Sequence, residues 1–148
     1  MTAACDDPRF ARLVERFETL AAADVARLGE HYADDVRFKD PFNEVVGLAA
    51  VQRIFDHMFE SLDAPYFKVH EVVAQGDRAV LTWDFTFSFK RGDARVQTVR
   101  GASHLVLDAQ GRIVLHRDYW DAAEELYEKL PLIGALMRWL KRRVNSAS

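Results

Sequence analysis

The sequence predicts an α+β domain in which helices precede an antiparallel sheet. Up to Leu62, apolar residues recur at the three- and four-residue steps of amphipathic helices, whereas after Pro65 they alternate with polar residues. Short turns rich in glycine and aspartate separate the alternating segments, as is typical of neighbouring antiparallel strands. Helices on one face of a curved sheet enclose a pocket between the two layers.

Three helices are predicted ahead of the sheet, over residues 8–22, 24–32 and 48–62. Pro8 suits the first turn of the first helix. Asp24 caps the second helix, which runs through Tyr32, and Asp34 and Asp35 end it. Gly47 precedes the third helix, whose apolar side chains form one stripe.

The sheet is predicted as a meander of four long strands. The clearest alternation is in Leu81, Trp83, Phe85, Phe87 and Phe89. The predicted strands cover about residues 67–74, 81–89, 95–107 and 112–121. The turns between them are Gly76-Asp77, Arg91-Gly92-Asp93 and Asp108-Ala109-Gln110-Gly111.

Residues 122–148 are predicted to form an amphipathic helical extension of a domain that covers residues 8–121. Pro131 breaks the extension, and Lys141-Arg142-Arg143 lie near its end. We expect the extension to pack on its own domain or on a second subunit. A peripheral membrane contact through its apolar face and basic end is the alternative.

Composition and net charge indicate which partners and which cellular compartment to expect. The 148 residues suit one domain, and a net charge of −3 gives no general attraction to nucleic acid. Cys5 is the only cysteine, which excludes an internal disulfide and favours a reducing compartment. Without a targeting or membrane-spanning segment, the expected location is the cytoplasm.

Asp40 is the first candidate for chemistry. It ends a short strand against Pro41 and lies between Phe38 and Phe42. Nearby apolar surface would disfavour the charged carboxylate and suit it to carrying a proton. Asp before Pro also commonly begins a turn, in which the carboxylate accepts from backbone N–H groups. Both interpretations remain open from the sequence.

A second candidate lies on the last strand, where His116, Asp118 and Trp120 share one face. Arg117 and Tyr119 take the opposite face. If the first face lines the pocket, His116 titrates near neutrality and Asp118 orients or acidifies a group. The alternative is a cross-strand polar network without a chemical role.

The sequence lacks the motifs of several other site classes. It has no spacing typical of a metal site and no glycine-rich phosphate loop. It also lacks a Gly-x-Ser-x-Gly motif, and Ser103 inside a strand is a poor nucleophile. We therefore expect neither a metal nor another cofactor.

The order of these features resembles the nuclear transport factor 2-like superfamily over about residues 8 to 121. The resemblance rests on the helices, on Tyr32-Ala33-Asp34-Asp35 and Asp40-Pro41-Phe42, on Gly47 and the four strands, and on Tyr119-Trp120. Ketosteroid isomerases and SnoaL-like polyketide cyclases are the most similar branches. The resemblance implies a cone-shaped fold that binds small, largely apolar molecules.

The likeness to ketosteroid isomerases implies that Asp40 is the general base. The phenol and protonated acid that hold the oxyanion in those enzymes fall on Phe17 and Ser103 here. Phenylalanine donates no hydrogen bond, and serine donates more weakly than a buried carboxylic acid. Steroid isomerisation is therefore not expected.

The likeness to SnoaL-like cyclases implies proton transfer by a pocket carboxylate with a nearby histidine, which His116 and Asp118 would supply. Related epoxide hydrolases need an Asp-Arg-Asp network inside the pocket. Arg117 faces away from Asp118, and Arg100 is predicted on the outer side of its strand, so the sequence disfavours that activity.

The leading hypothesis is a pocket in which Asp40 or the His116/Asp118 pair moves a proton on an apolar carbonyl compound without a cofactor. The competing hypothesis is a ligand-binding or dimerisation module without chemistry. The residues expected to line the pocket are Phe17, Tyr32, Phe42, Met58, Trp83, Phe85, Ser103 and Trp120. A homodimer is expected through the outer sheet face, which carries Thr82, Thr86, Ala102 and Val106.

Overall fold

A computed structural model describes residues 5–92, 94–125, 136, 138–140 and 142–144. The helices are α1 (Pro8–Glu18), a 3₁₀ helix (Ala22–Glu30), α2 (Leu48–Ser61) and α3 (Ala122–Glu125). The strands are β1 (Tyr32–Lys39), β2 (Glu44–Val46), β3 (Leu62–Gln75), β4 (Arg78–Phe89), β5 (Gln97–Leu107) and β6 (Ile113–Tyr119). The α+β class is therefore confirmed.

One curved sheet holds all six strands in the order β2-β1-β6-β5-β4-β3. The predicted antiparallel meander is confirmed as β3 to β6, with Gly76 and Gly111 at positive φ in two of its turns. β1 pairs in parallel with β6 and forms an antiparallel hairpin with β2. The sheet does not close into a barrel.

The predicted second helix is wrong in type and in its end. The segment is a 3₁₀ helix, and the Asp24 carboxylate accepts from the Ala21 N–H at 2.9 Å. Tyr32, Asp34 and Asp35 belong to β1 and do not end a helix. Tyr32 pairs with Ile113 of β6, so sheet pairing overrides the helical spacing that connects Tyr32 to Leu28.

The other helices differ from prediction mainly in length. α1 begins with Pro8 in its first turn, as predicted, and Asp7 caps it by accepting from the Arg9 N–H at 2.9 Å. It ends at Glu18, earlier than predicted, where the Thr19 N–H and hydroxyl both donate to the Glu15 carbonyl. α2 ends at Ser61 because Leu62 begins β3.

The helices cover the concave face of the sheet. Phe10, Leu13 and Val14 of α1 and Val51 and Phe55 of α2 are buried against it. Alternate β4 side chains point into the same interior: Ala79, Leu81, Trp83 and Phe87 are almost fully buried. The space left between α2 and this face is the cavity described below.

The C-terminal extension is described only in part. α3 packs on β5, where the buried Glu125 pairs with Arg100 at 3.4 Å. Residues 136, 138–140 and 142–144 are helical, whereas Pro131 and the predicted break lie outside the described residues. Leu136, Trp139, Leu140 and Val144 are exposed. No helix in the described part of the chain is long and apolar enough to span a membrane.

Candidate functional site

A cavity of about 370 Å³ lies between α1, α2 and the concave face of the sheet. Its wall is mainly aromatic: Phe85 stacks on Phe67 at 4.3 Å between ring centroids, and the Trp83 ring meets the edge of Phe67 at 5.5 Å. Polar side chains occupy only a small part of the wall. They are Asp40, Asn43, His57, Ser61, Ser103, His116 and Asp118.

Asp118 is the centre of a hydrogen-bond network on the inner face of β5 and β6. Ser103 lies directly opposite Asp118 in the strand pairing, and its hydroxyl donates to Asp118 Oδ1 at 2.5 Å. His116 Nε2 lies 2.7 Å from the same oxygen. Both side-chain partners that the carboxylate has in the described part of the chain therefore meet Oδ1.

Two further residues extend this network, which we call the Asp118 network: Tyr32, Trp83, Ser103, His116 and Asp118. The Trp83 indole N–H donates to Ser103 Oγ at 2.9 Å. On the other side, the Tyr32 hydroxyl lies 2.8 Å from His116 Nδ1. Burial, and then the negative charge of Asp118, raise the pKa of the Tyr32 phenol well above its ordinary value.

The network depends on a glycine where β4 meets β5. Gly101 pairs with Trp83, and a Cβ at Gly101 would lie 2.5 Å from the indole Cη2. The absence of a side chain lets the indole lie over β5 with its N–H directed to Ser103. Close approach of a ring to the backbone is the physical reason for this glycine.

Several side chains that line the cavity carry a polar group without a hydrogen-bond partner in the described part of the chain. In Asp118, Oδ2 accepts no hydrogen bond there, since both bonds to the carboxylate end on Oδ1. The indole N–H of Trp120, two residues further along, also has none. The side chains of His57 and Ser61, on α2, likewise have no partner among the described residues.

Asp40 lines the cavity, but its oxygens hold a turn. Oδ1 accepts from the Phe42 N–H at 2.8 Å and from the Asn43 N–H at 2.6 Å. The Asn43 side-chain amide reaches both carboxylate oxygens at 3.1 Å. Asp40 is thus bonded as the turn interpretation of the sequence expects.

Ten of the eleven residues predicted for the site line the cavity. They are Phe17, Asp40, Phe42, Met58, Trp83, Phe85, Ser103, His116, Asp118 and Trp120. Tyr32 does not line the cavity: it is fully buried behind His116, with the two rings parallel at 5.9 Å. The structure thus gives Tyr32 a polar contact with His116 instead of a place in the cavity wall.

Several lining residues were missed. They include Phe38, Asn43, Ile54, Phe55, His57, Phe67, Phe87 and Phe89. The β4 alternation could have identified Phe87 and Phe89, and the stripe of α2 could have identified Ile54 and Phe55. His57 is exposed and also borders the cavity.

For steroid isomerisation and for epoxide hydrolysis, the structure places the relevant residues as the sequence indicates. Phe17 contributes only an apolar ring, 5.9 Å from the His116 ring, and the Ser103 hydroxyl is bonded to Asp118. No arginine lines the cavity among the described residues: Arg100 pairs with Glu125, and Arg117 packs over Tyr119. No cluster of potential metal ligands occurs within the described ranges.

Solved structures with a similar fold cover most of the chain. A hypothetical protein with a ketosteroid isomerase-like fold from Catenulispora acidiphila DSM 44928, in complex with trimethylamine, is 14% identical (TM-score 0.70; 82% of this chain, 92% of that chain). A putative SnoaL-like polyketide cyclase from Jannaschia sp. CCS1 is 17% identical (0.67; 82% and 94%). An LEH-like epoxide hydrolase from M. tuberculosis is 20% identical (0.64; 77% and 84%).

The sequence itself identifies the family. A search of curated proteins found no significant match. The profile of the SnoaL-like domain, however, matches residues 13–116, which is more than half of the chain and includes Ser103 and His116. Together with the six-stranded sheet and its helices, this match means that the chain belongs to the family of SnoaL-like domains, in the nuclear transport factor 2-like superfamily.

Proposed function

We propose that this protein binds an apolar carbonyl compound in its aromatic cavity and moves a proton on it without a cofactor, with Asp118 as the acid and base. The single observation that carries the proposal is the asymmetric bonding of Asp118. Ser103 and His116 both bond Oδ1, while Asp118 lines the cavity and its Oδ2 has no partner among the described residues.

The step that this arrangement supports is proton transfer from carbon. A C–H bond next to the ligand carbonyl breaks, its proton passes to Asp118 Oδ2, and the electron pair becomes an enolate. In a ketone with a C=C bond next to the reacting carbon, the enolate extends to a dienolate, and return of the proton to the far carbon of that bond completes an isomerisation. Attack of the enolate carbon on a second carbonyl, with the proton passing to the new alkoxide, completes a ring closure.

An enolate also needs a donor for its developing negative oxygen. Ser103 and Trp83 are unsuitable because their donors are used within the Asp118 network. The Trp120 side chain lines the cavity two residues from Asp118, and its N–H is unused in the described part of the chain, so we assign it this role. Removing one such donor typically slows a reaction about a hundredfold or more.

We assign Asp40 to structure and not to the proton transfer. Its carboxylate is engaged by Phe42 and Asn43, and losing those bonds would release the turn between β1 and β2. Asp118 needs no such release because its Oδ2 has no hydrogen bond to give up in the described part of the chain. Asp118 and Asp40, which the sequence left as alternative candidates for the proton transfer, thus have different roles in this proposal.

The family and the fold support a small-molecule role. Among proteins of similar fold, one is named as a putative polyketide cyclase and another as an epoxide hydrolase. The lack of an arginine in the described cavity wall disfavours the network that the second activity requires. We therefore favour carbon-centred proton transfer over epoxide opening.

Ligand screening tests the proposal first. Native mass spectrometry and thermal shift would be run against steroids, aromatic polyketide-like ketones, terpenoid ketones, fatty acids and small tertiary amines. We expect a ketone to bind, Trp120→Ala to weaken its binding, and the bound ketone to exchange protons next to its carbonyl with D₂O faster than in buffer. A ketone that binds in the cavity without such exchange would contradict the proposal.

The alternative is a ligand-binding or dimerisation module without chemistry. It is favoured by the aromatic wall, which would hold an apolar ligand whether or not a reaction follows, and by exposed Val80 and Tyr119 on the outer sheet face. In either case we propose a homodimer through that face and a cytoplasmic location. Sedimentation of the wild type and of Val80→Glu would test the dimer.

A further inference from the structure

We propose that Tyr32 is a positioning residue that holds His116 neutral with its proton on Nε2, so that His116 is a fixed hydrogen-bond donor to Asp118. The consequence for a reaction rests on the function proposed above. The protonation state of His116 does not, because it follows from the hydrogen bonds around the ring. No part of the proposal requires Tyr32 to touch a ligand.

The Tyr32 hydroxyl has one acceptor in reach. Tyr32 is fully buried, and His116 Nδ1, at 2.8 Å, is the hydroxyl's only hydrogen-bond partner in the described part of the chain. A buried hydroxyl that donates to no acceptor is unfavourable. His116 Nδ1 can accept only when it carries no proton, so this bond places the histidine proton on Nε2.

The other side of the ring supports the same form. His116 Nε2 lies 2.7 Å from Asp118 Oδ1, and a protonated Nε2 donates to that oxygen. With the proton on Nδ1 instead, the Nε2 lone pair would face the carboxylate. With protons on both nitrogens, the Tyr32 hydroxyl would have no acceptor. Only the neutral Nε2–H form satisfies Tyr32, His116 and Asp118 together.

Packing prevents the ring from leaving this arrangement. The Tyr32 and His116 rings are parallel within 4°, and Phe38 and Phe17 contact the His116 ring at 4.9 Å and 5.9 Å between centroids. The raised pKa keeps the Tyr32 phenol protonated at neutral pH and therefore able to donate. Tyr32 and Asp118 are the titratable groups bonded to His116 in the described residues.

The orientation of His116 affects Asp118, the residue that would take the proton. His116 Nε2–H and the Ser103 hydroxyl both donate to Oδ1, so the charge of Asp118 is held at one oxygen and Oδ2 keeps no partner among the described residues. If His116 lost its orientation, Asp118 would lose one of its two donors. Tyr32 would thus affect the proton transfer from behind the site, through His116.

Nitrogen NMR of ¹⁵N-histidine-labelled protein tests the proposal without any ligand. His116→Gln identifies the His116 signals among the five histidines. Near pH 7, we expect an unprotonated Nδ1 and a protonated Nε2 in the wild type. In Tyr32→Phe, which removes only the hydroxyl, we expect a second form with a proton on Nδ1. A wild type already protonated on Nδ1, or a spectrum unchanged by Tyr32→Phe, would overturn the proposal.

A double-mutant comparison separates positioning from general damage. The amide introduced by His116→Gln can donate to Asp118 but has no tautomers, so Tyr32→Phe should slow ketone proton exchange several-fold in the wild-type background and little in His116→Gln. Equal slowing in both backgrounds would mean that the Tyr32 hydroxyl acts independently of the His116 tautomer, and it would overturn the proposal. Tyr66→Phe, at an exposed tyrosine, is the control and should leave the His116 spectrum unchanged. Failure to find a ketone ligand would leave the NMR result standing.

Discussion

Asp118 and Asp40 are both carboxylates that line the cavity, and their bonding partners give them different roles. Asp40 accepts from backbone N–H groups of its own turn, whereas Asp118 accepts from side chains of β5 and β6 through one oxygen. At the residue scale, the two carboxylates differ in which oxygen lacks a hydrogen-bond partner among the described residues: Oδ2 of Asp118 has none, whereas both oxygens of Asp40 are bonded. Ser103 and His116 matter because their bonds to Oδ1 hold the Asp118 carboxylate in place.

Gly101→Ala is expected to lower stability and to disturb the Asp118 network. The new Cβ would approach the rigid Trp83 ring at 2.5 to 3.0 Å, and overpacking of this kind costs about 1 to 3 kcal/mol. Gly29→Ala is the matched control, because its Cβ would meet only the end of the Leu48 side chain at 3.1 Å. Urea unfolding would measure the free energy of unfolding of the two variants. Equal destabilisation would mean that the Trp83 ring does not need the space that Gly101 leaves.

Tyr32 should also make the protein sensitive to alkali. Its folded-state pKa is raised by burial, so above about pH 10 the unfolded chain releases a proton that the folded chain keeps. Stability is therefore lost as pH rises, by up to about 1.4 kcal/mol for each pH unit. Unfolding free energies between about pH 9 and pH 11 should fall more steeply in the wild type than in Tyr32→Phe. Parallel profiles would contradict the burial of a neutral phenol.

At the scale of elements, the β1–β2 hairpin forms one edge of the sheet and one side of the cavity mouth. The Asp40 N–H donates to the Asn43 carbonyl at 2.9 Å, and the Asp40 side chain closes the same turn. Phe42, which follows, packs edge-on against Trp120 at 5.5 Å between centroids. The turn therefore positions one aromatic side chain of the mouth.

Asp40→Ala should lower the free energy of unfolding by about 1 to 2 kcal/mol, because the turn loses the acceptor of its N–H groups. Asp40→Asn keeps an acceptor oxygen and should cost less. Thermal and urea unfolding of the two variants would measure the difference. Equal stability of the wild type and Asp40→Ala would mean that the turn does not need the carboxylate.

The elements that the sequence predicts best are those whose pattern is local and long. The α2 stripe and the alternation of β4 are repeated over several turns or residue pairs, so their type follows from spacing alone. In the segment from Val25 to Tyr32, too few apolar residues recur at helical spacing for the spacing to decide the type of element. Its 3₁₀ form and its end depend on Tyr32 joining the sheet, which local spacing does not contain.

At the scale of the whole molecule, strand register brings the site together. The sequence places His116 and Asp118 on one face of β6, but Ser103 reaches Asp118 only because β5 pairs with β6 at that position. Tyr32 reaches His116 because β1 lies parallel beside β6, and residues this far apart in sequence carry no local signal of pairing. The candidate pair of His116 and Asp118 was therefore predictable, whereas the contacts that Ser103 and Tyr32 make with it were not.

The assignment of Asp118 as the base is tested most directly by deuterium incorporation next to the carbonyl of a bound ketone, compared between the wild type, Asp118→Asn and Asp40→Asn. The amide introduced by Asp118→Asn keeps an oxygen that accepts from Ser103 and His116 but cannot take the proton. We expect Asp118→Asn to bind the ketone and to lose exchange by about a hundredfold or more, while Asp40→Asn exchanges nearly as the wild type does. Exchange that survives in Asp118→Asn, or is lost only in Asp40→Asn, would contradict the assignment of Asp118 as the base.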